Sequence, residues 1–167
     1  MIQIDGAFHE GGGQILRTAL GLSALTKQPF EIINIRKNRP KPGLRPQHLS
    51  CVKAVAQLCN ASVEGAEESS TTLKFIPIDI KANTLSVDIV TAYLTPVLLL
   101  TLIVPALFAN KTFRIEVIGG TDVPYSPTSD YFLNVLFFNR FFKLNEFFCT
   151  LSSKIDFCFP SYKRYFL

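Results

Sequence analysis

A glycine-rich run at residues 10–17, Glu-Gly-Gly-Gly-Gln-Ile-Leu-Arg, constrains this chain more than any other stretch. It follows strand-like residues 2–4 and leads into apolar positions at helical spacing, so it predicts a strand, a tight turn and a helix over residues 13–26. Glycine allows close backbone approach to a ligand, and a helix N-terminus presents unpaired N–H groups that suit phosphate. In this interpretation Glu10 holds a divalent cation and Arg17 a phosphate oxygen. The other interpretation is a packing turn, since the run matches neither the dinucleotide fingerprint nor the P-loop.

The composition predicts one domain with its own core. The chain has 167 residues, and its hydrophobic content of 48% argues against disorder. The net charge of +4 permits a polyanionic partner without requiring one. Four cysteines without a CxxC pair, with only two histidines, argue against a zinc site. No signal-like segment opens the chain, so a reducing cytosolic or nuclear compartment is expected.

Residues 36–45 form a predicted basic loop after a predicted strand at residues 30–35. The loop has five basic residues in ten positions, no acid, two prolines and a glycine. Because the prolines hold the arginines in fixed positions, we favour a phosphate or nucleic-acid contact surface over a solvated loop that happens to be basic. Pro46 begins the next predicted helix, which closes at Asn60. His48, in its first turn, is interpreted as a packing residue.

The remainder of the first 136 residues predicts repeated strand–helix units. Strands are expected at residues 61–64, 71–75, 85–89 and 112–118, with a helix at 129–136. Residues 30–52 and 113–135 form a weak internal repeat of strand, Pro/Gly loop and amphipathic helix, which predicts an α/β architecture. Residues 89–110 carry no charge and are long enough for a membrane span. Their two prolines and strand-like flanks favour a helix covered by a sheet instead.

The composition changes at Phe137. Nine of the fifteen phenylalanines lie in residues 137–167, where neither helical nor strand periodicity is sustained. We interpret this tail as non-native sequence joined to a truncated domain of residues 1–136. The alternative is an aromatic segment that covers an exposed sheet edge.

Several ordered motifs together resemble the RNA 3′-terminal phosphate cyclases. The resemblance covers residues 1–136, and its motifs lie at residues 4–6, 10–17, 35–36, 39, 42–49, 63–66 and 119–121. It implies the α/β (α+β) fold of this family, which enolpyruvate transferases share, in incomplete form.

The resemblance also implies an ATP-dependent ligase reaction. In the family, a histidine accepts AMP and passes it to an RNA 3′-phosphate, and the neighbouring 2′-hydroxyl then attacks to give a 2′,3′-cyclic phosphate. The implied partners are RNA 3′ ends and ATP, and the implied cofactor is a divalent cation, Mg or Mn. The implied location is the nucleus, with the cytoplasm also open. A membrane span is not expected, because the apolar run falls where the family has a buried helix.

Site residues carry over from the family at matching positions. Glu10 matches the acidic metal-site residue, and Arg36 and Arg39 match phosphate-contacting arginines. Arg17 is a further phosphate-contact candidate. Pro124, or alternatively Pro127, is expected near the nucleotide.

Three departures from the family pattern bear on activity. Neither His9 nor His48 matches the nucleophilic histidine, which lies in a C-terminal part that we do not find here, so this chain is not expected to be adenylylated. The family's small-residue run Thr-Ala-Gly-Ser is Thr-Ala-Tyr-Leu at residues 91–94, and a nucleotide-contacting glutamine falls near Thr101. Two rival functions stay open: a non-catalytic RNA-binding relative in ribosome assembly, and a membrane-associated protein that uses residues 89–110.

Overall fold

Helices and strands alternate along most of the chain. The computed structural model describes residues 1–80, 84–88, 95–108, 114–120, 127–132, 134–135 and 162–166. The helices are α1 (Gly13–Thr26), α2 (Pro46–Cys59), α3 (Thr95–Leu107) and the short α4 (Ser129–Tyr131). The strands are β1 (Ile2–Asp5), β2 (Phe30–Ile33), β3 (Ser62–Glu64), β4 (Leu73–Ile76), β5 (Thr84–Asp88), β6 (Arg114–Gly120) and β7 (Tyr162–Phe166).

The first sheet determines where the glycine-rich run and the basic loop lie. Its strand order is β1-β2-β4-β3, and β1 is parallel to β2, with Ile2 opposite Phe30 and Asp5 opposite Ile33. The other two pairings, β2 with β4 and β4 with β3, are antiparallel. Parallel strands end at the same edge of a sheet, so the segments that follow β1 and β2 leave the sheet side by side.

The second sheet has the order β5-β6-β7. β5 and β6 are parallel, and β7 lies antiparallel along β6. β7 belongs to the phenylalanine-rich tail, and its strand covers one edge of β6 in the way that the alternative interpretation of the tail describes. The non-native origin of the tail and the boundary at residue 136 stay predictions, because residues 136–161 lie outside the described residues.

One hydrophobic core joins the helices to both sheets. The rings of Phe30 and Phe75 stack at a centroid distance of 5.7 Å between β2 and β4. The same cluster of buried side chains includes Leu20 of α1, Leu58 of α2 and Leu102 of α3. The predicted combination of helices and strands is confirmed.

Local chain geometry accounts for where the predicted elements end. The predicted bounds of α1 and α2 are confirmed, and Lys27 and Asn60 close these helices in the left-handed conformation. The prediction that β2 continues to residue 35 is wrong. Asn34 and Arg36 have φ values of 54° and 55°, and a strand cannot continue through left-handed residues.

Two further predictions concern helices after residue 88. Of the predicted helix at 129–136, the described residues are α-helical only at Ser129–Tyr131. Within the described parts of the chain, no helix combines the length and the apolar composition that crossing a membrane requires.

Candidate phosphate-binding site

The segments after β1 and β2 form one surface because side-chain and backbone hydrogen bonds join them. The Gly6 N–H donates to Ile33 O at 2.7 Å, and Asn38 Nδ2 donates to Ala7 O at 3.0 Å. A Cβ on Gly6 would lie 2.9 Å from Ile35 Cα, so only glycine allows this approach. The glycine-rich run and the basic loop are therefore held against each other at the carboxyl ends of β1 and β2.

Glu10 and Arg39 meet across this contact. Arg39 Nη2 lies 3.2 Å from Glu10 Oε2, with 78% of the Glu10 side chain and 38% of the Arg39 side chain exposed. A Cβ on Gly12 would lie 3.2 Å from Glu10 Oε1 and 3.4 Å from Arg39 Nη2. Because Gly12 has no side chain, it does not crowd the accessible carboxylate and the accessible guanidinium group.

Arg36 stabilises the basic loop through hydrogen bonds to backbone carbonyls of the same loop. Its Nη1 donates to Lys41 O at 2.8 Å and to Gly43 O at 3.2 Å, which folds the loop back on itself. Burial lowers the pKa of Arg36, and the positive charges of Arg39 and Arg45 lower it further. The contributions of Arg39 and Arg45 show that like charges act on Arg36, and a bound anion would relieve this repulsion.

Arg36, Arg39 and Arg45 form an arginine cluster. His48 lies at the base of this cluster and is 4% exposed. Its Nδ1 accepts a hydrogen bond of 3.1 Å from the Arg45 N–H, so the neutral ring carries its proton on Nε2. Burial lowers the pKa of His48 to about 3, and the charges of Arg36, Arg17 and Arg45 contribute to this shift. The ring packs on Gly13, where a Cβ would lie 2.8 Å from His48 Cδ2. His48 is a packing residue, as the sequence suggested.

The contact between Gly13 and His48 brings two helix N-termini together. Gly13 is the first residue of α1, and His48 lies in the first turn of α2. The first turns of α1 and α2, both fully described, contain no acidic residue. Two positive dipole ends therefore lie beside the arginine cluster, an arrangement that favours an anion.

Arg17 approaches the same cluster from the side of α1. Its Nη2 donates to Gln14 Oε1 at 2.9 Å, and burial lowers its pKa. Arg17 also lines a groove of about 270 Å³ between α1 and α3, together with Gln14, Thr18, Gly21, Leu22, Val97, Leu100, Thr101 and Val104. Thr101 Oγ1 donates to Val97 O of its own helix at 3.0 Å. Arg17 therefore links the arginine cluster to a mostly apolar groove.

The sequence profile that describes the RNA 3′-terminal phosphate cyclase family matches residues 8–154. The chain belongs to this family. It is 51% identical over 138 residues to the RNA 3′-terminal phosphate cyclase of Pyrococcus furiosus, covering 83% of this chain and 40% of that protein. Identity to the protein of the same name from Methanopyrus kandleri is 52% over 135 residues, covering 81% of this chain and 38% of that protein. For the one from Saccharolobus solfataricus it is 54% over 132 residues, covering 78% and 39%. The chain thus spans about 40% of the length of these relatives.

Membership in the cyclase family confirms the resemblance seen in the sequence and the fold that it implied. The structure pairs Glu10 with Arg39, and the charge of Arg39 acts on Arg36. The charges of Arg36 and Arg17 both act on the ring of His48. Their roles as metal and phosphate contacts stay predictions. Pro124 and residues 91–94 lie outside the described residues, so the structure adds nothing to the expectations for them.

Arg45 lies beside the candidate site, and the sequence did not single it out. It raises the local positive charge beside Arg36 and His48, and its Nη1 pairs with Glu68 Oε1 at 3.4 Å. The available signal was its place in the basic loop directly before Pro46, at a helix start. The contact of Gly13 with His48 had no local signal, because it joins residues that are far apart in sequence.

Proposed function

We propose that this chain provides the phosphate-binding wall of an ATP-dependent enzyme that converts the 3′-terminal phosphate of an RNA into a 2′,3′-cyclic phosphate. This wall is the surface formed by Glu10, Arg36, Arg39 and the glycines that begin α1. The observation that carries the proposal is the ion pair of Glu10 with Arg39, which lies beside the glycines that begin α1. The positive charge of Arg36 is close to that of Arg39. The relatives, which are RNA 3′-terminal phosphate cyclases by name, support the same activity. A nuclear location stays a prediction, and the three relatives, which come from archaea, do not bear on it.

The arginines suit phosphate groups of the RNA end and of ATP. Guanidinium groups bind phosphate oxygens through paired, charge-assisted hydrogen bonds. Both Arg36 hydrogen bonds within the described part of the chain use Nη1, so the rest of its guanidinium group faces no described acceptor. Gly12 and Gly13, at the start of α1, add backbone N–H groups and carry no side chains of their own.

Glu10 fits a divalent cation that is shared with a bound phosphate. Among the described residues, no group of three or more His, Cys, Asp or Glu side chains could hold a metal on its own. Mg²⁺ in phosphoryl-transfer sites is held by one or two carboxylates together with substrate phosphates and water, which a single exposed Glu10 satisfies. Such a cation neutralises phosphate charge during the reaction. Arg39, which pairs with Glu10 here, would then bind the phosphate with its guanidinium group.

His48 is unsuited to the nucleophilic role that the family gives to a histidine. Its Nδ1 is engaged by the Arg45 N–H, its ring is buried, and its Nε2 faces Gly13. We propose that His48 supports the phosphate-binding wall and that this chain by itself forms no covalent product with ATP. Incubation with ATP labelled on the α-phosphate tests this, and a labelled protein band would contradict it.

Binding of a defined RNA end tests the wall itself. A labelled single-stranded oligoribonucleotide with a 3′-phosphate should bind the chain more tightly than the same oligonucleotide with a 3′-hydroxyl, as measured by fluorescence anisotropy. Arg39→Ala should remove most of this preference, by about tenfold for one charged hydrogen-bond contact. Lys53→Ala, which removes an exposed positive charge from α2, is the matched control and should preserve it. Equal binding of the two RNA ends would overturn the proposal.

A further inference from the structure

We propose that Phe8 is a stacking platform for a base near the 3′ end of a single-stranded RNA, an inference that rests on the proposed function above. The Phe8 side chain is 65% exposed although it lies only two residues before Glu10. The His9 ring contacts it edge-on, with a centroid distance of 4.1 Å and an interplanar angle of 68°. Single exposed apolar side chains are common on protein surfaces, so exposure alone does not mark Phe8 as a binding residue. Its fixed backbone and its place beside Glu10 do.

The backbone on both sides of Phe8 is fixed. The Phe8 N–H donates to Asp5 O at 3.3 Å, and Phe8 O accepts from the Gly11 N–H at 3.0 Å. Asn38 Nδ2 donates to Ala7 O at 3.0 Å and contacts His9 O at 3.4 Å, so the neighbouring carbonyls are also held. A ring displayed on a fixed backbone loses little conformational freedom when a ligand binds it.

His9 adds a local feature that favours a functional role for this turn. Its φ of 51° is left-handed, a conformation that residues other than glycine adopt infrequently. Strained backbone of this kind clusters at ligand-binding sites, where the surrounding structure holds it in place. Here the hydrogen bond from Asn38 ties the strained residue to the basic loop.

The charge around Phe8 points to a nucleic acid as the occupant. Asn38 lies between Lys37 and Arg39, and Lys37 and Lys41 are exposed. A phosphodiester backbone along this loop would be neutralised by these cations while a base reaches the Phe8 ring. Proteins that bind single strands combine a basic track with aromatic side chains on which bases stack. Phe8 beside the basic loop provides both components.

The occupied position would be close to the RNA end. Glu10 and Arg39 are the residues to which the proposed function assigns the terminal phosphate and its cation, and Phe8 precedes Glu10 by two residues on the same rigid turn. We therefore assign to Phe8 one of the last three bases of the strand. Stacking does not distinguish strongly among bases, so the platform would accept RNA ends of different sequence.

The test is a cycle of protein and RNA changes, measured at low salt with the 167-residue chain and a short 3′-phosphorylated oligoribonucleotide. Phe8→Ala should weaken binding about fivefold or more, whereas Phe8→Tyr should bind like the unsubstituted chain. Phe108→Ala is the matched control, because Phe108 is exposed to a similar extent, 60%, at the end of α3. An abasic residue at one of the last three RNA positions should weaken binding as Phe8→Ala does. The two changes combined should cost little more than either alone.

The outcomes separate this inference from the proposed function. Unchanged affinity in Phe8→Ala, or equal losses in Phe8→Ala and Phe108→Ala, overturns the stacking platform. If Arg39→Ala still removes the preference for a 3′-phosphate in that case, the proposed function stands. A chain that binds neither RNA end overturns both. Additive losses from Phe8→Ala and from every abasic oligonucleotide would show that Phe8 contacts something other than a base, such as a protein partner, and would also overturn the inference.

Discussion

The imidazole of His48 packs directly on Gly13, so the first turns of α1 and α2 share one contact beneath the arginine cluster. The ring also accepts the Arg45 N–H at 3.1 Å, which ties the end of the basic loop to the same point. Through one buried side chain, the glycine-rich run and the basic loop therefore keep a fixed spacing. Changes at either residue should affect both segments.

Gly13→Ala should destabilise the fold. The added Cβ would overlap His48 Nε2, and forcing extra volume into a packed contact typically costs about 1–3 kcal/mol. Alanine's higher helix propensity would offset part of this cost. Urea unfolding should show a lower free energy of unfolding. Gly12→Ala is the control, because the atoms nearest to its Cβ would be the flexible ends of Glu10 and Arg39. Equal stability of the two variants would contradict the close packing.

His48 should make stability depend on pH in the acidic range. Its pKa in the folded chain is about 3, below the ordinary histidine value of 6.5, so between these values the unfolded state binds more protons. Stability is therefore lost as the pH falls through this window. From pH 7 to pH 5 the loss attributable to His48 should be about 2 kcal/mol.

Urea unfolding at the two pH values, for the unsubstituted chain and for His48→Asn, measures this dependence. Asparagine retains an acceptor for the Arg45 N–H but does not titrate, so the variant should lose about 2 kcal/mol less than the unsubstituted chain. Identical pH dependence in both proteins would show that His48 accepts a proton without unfolding.

How well an element's end could be predicted from the sequence differs between the helices and β2. The bounds of α1 and α2 could be predicted because Gly13, Pro46 and Asn60 act through local backbone chemistry that a sequence displays directly. The end of β2 could not, because the left-handed turn at Asn34 depends on a hydrogen bond of 3.2 Å from its Nδ2 to Asp5 Oδ1, far away in sequence.

Within the site, the candidate residues could be predicted from the sequence, whereas the contacts between them could not. Charge spacing and the family motifs identified Glu10, Arg36 and Arg39 as candidates, and the parallel pairing of β1 with β2 explains why they meet. The pairing of Glu10 with Arg39 and the internal role of Arg36 in the basic loop are tertiary contacts with no periodic signal. The sequence therefore indicated which residues to consider and gave no information on which of them contact each other.

Arg36→Lys should loosen the basic loop although it keeps the positive charge. Arg36 donates to two backbone carbonyls, at Lys41 and Gly43, from one guanidinium nitrogen whose position the planar group fixes. A flexible ammonium group reproduces this geometry poorly, and about 1 kcal/mol of hydrogen bonding should be lost. Hydrogen exchange at the Gly43 amide, which donates to Ile35 O at 2.8 Å, measures the loosening. Lys41→Arg, which changes a side chain outside these bonds, should leave the exchange rate unchanged.

Glu10→Gln should remove the response of ATP binding to a divalent cation. The proposed site holds Mn²⁺ or Mg²⁺ between Glu10 and a phosphate, and an amide oxygen is a far weaker ligand for either ion than a carboxylate. Calorimetric titration of the unsubstituted chain with ATP should therefore give tighter binding in Mn²⁺ than in EDTA, and Glu10→Gln should bind ATP equally in both. The substitution also releases Arg39 from its ion pair at 3.2 Å, so binding in EDTA should be the same or slightly tighter than in the unsubstituted chain. Glu67→Gln removes an exposed carboxylate elsewhere and should keep the Mn²⁺ response. A Mn²⁺ response that persists in Glu10→Gln would assign the cation to other groups.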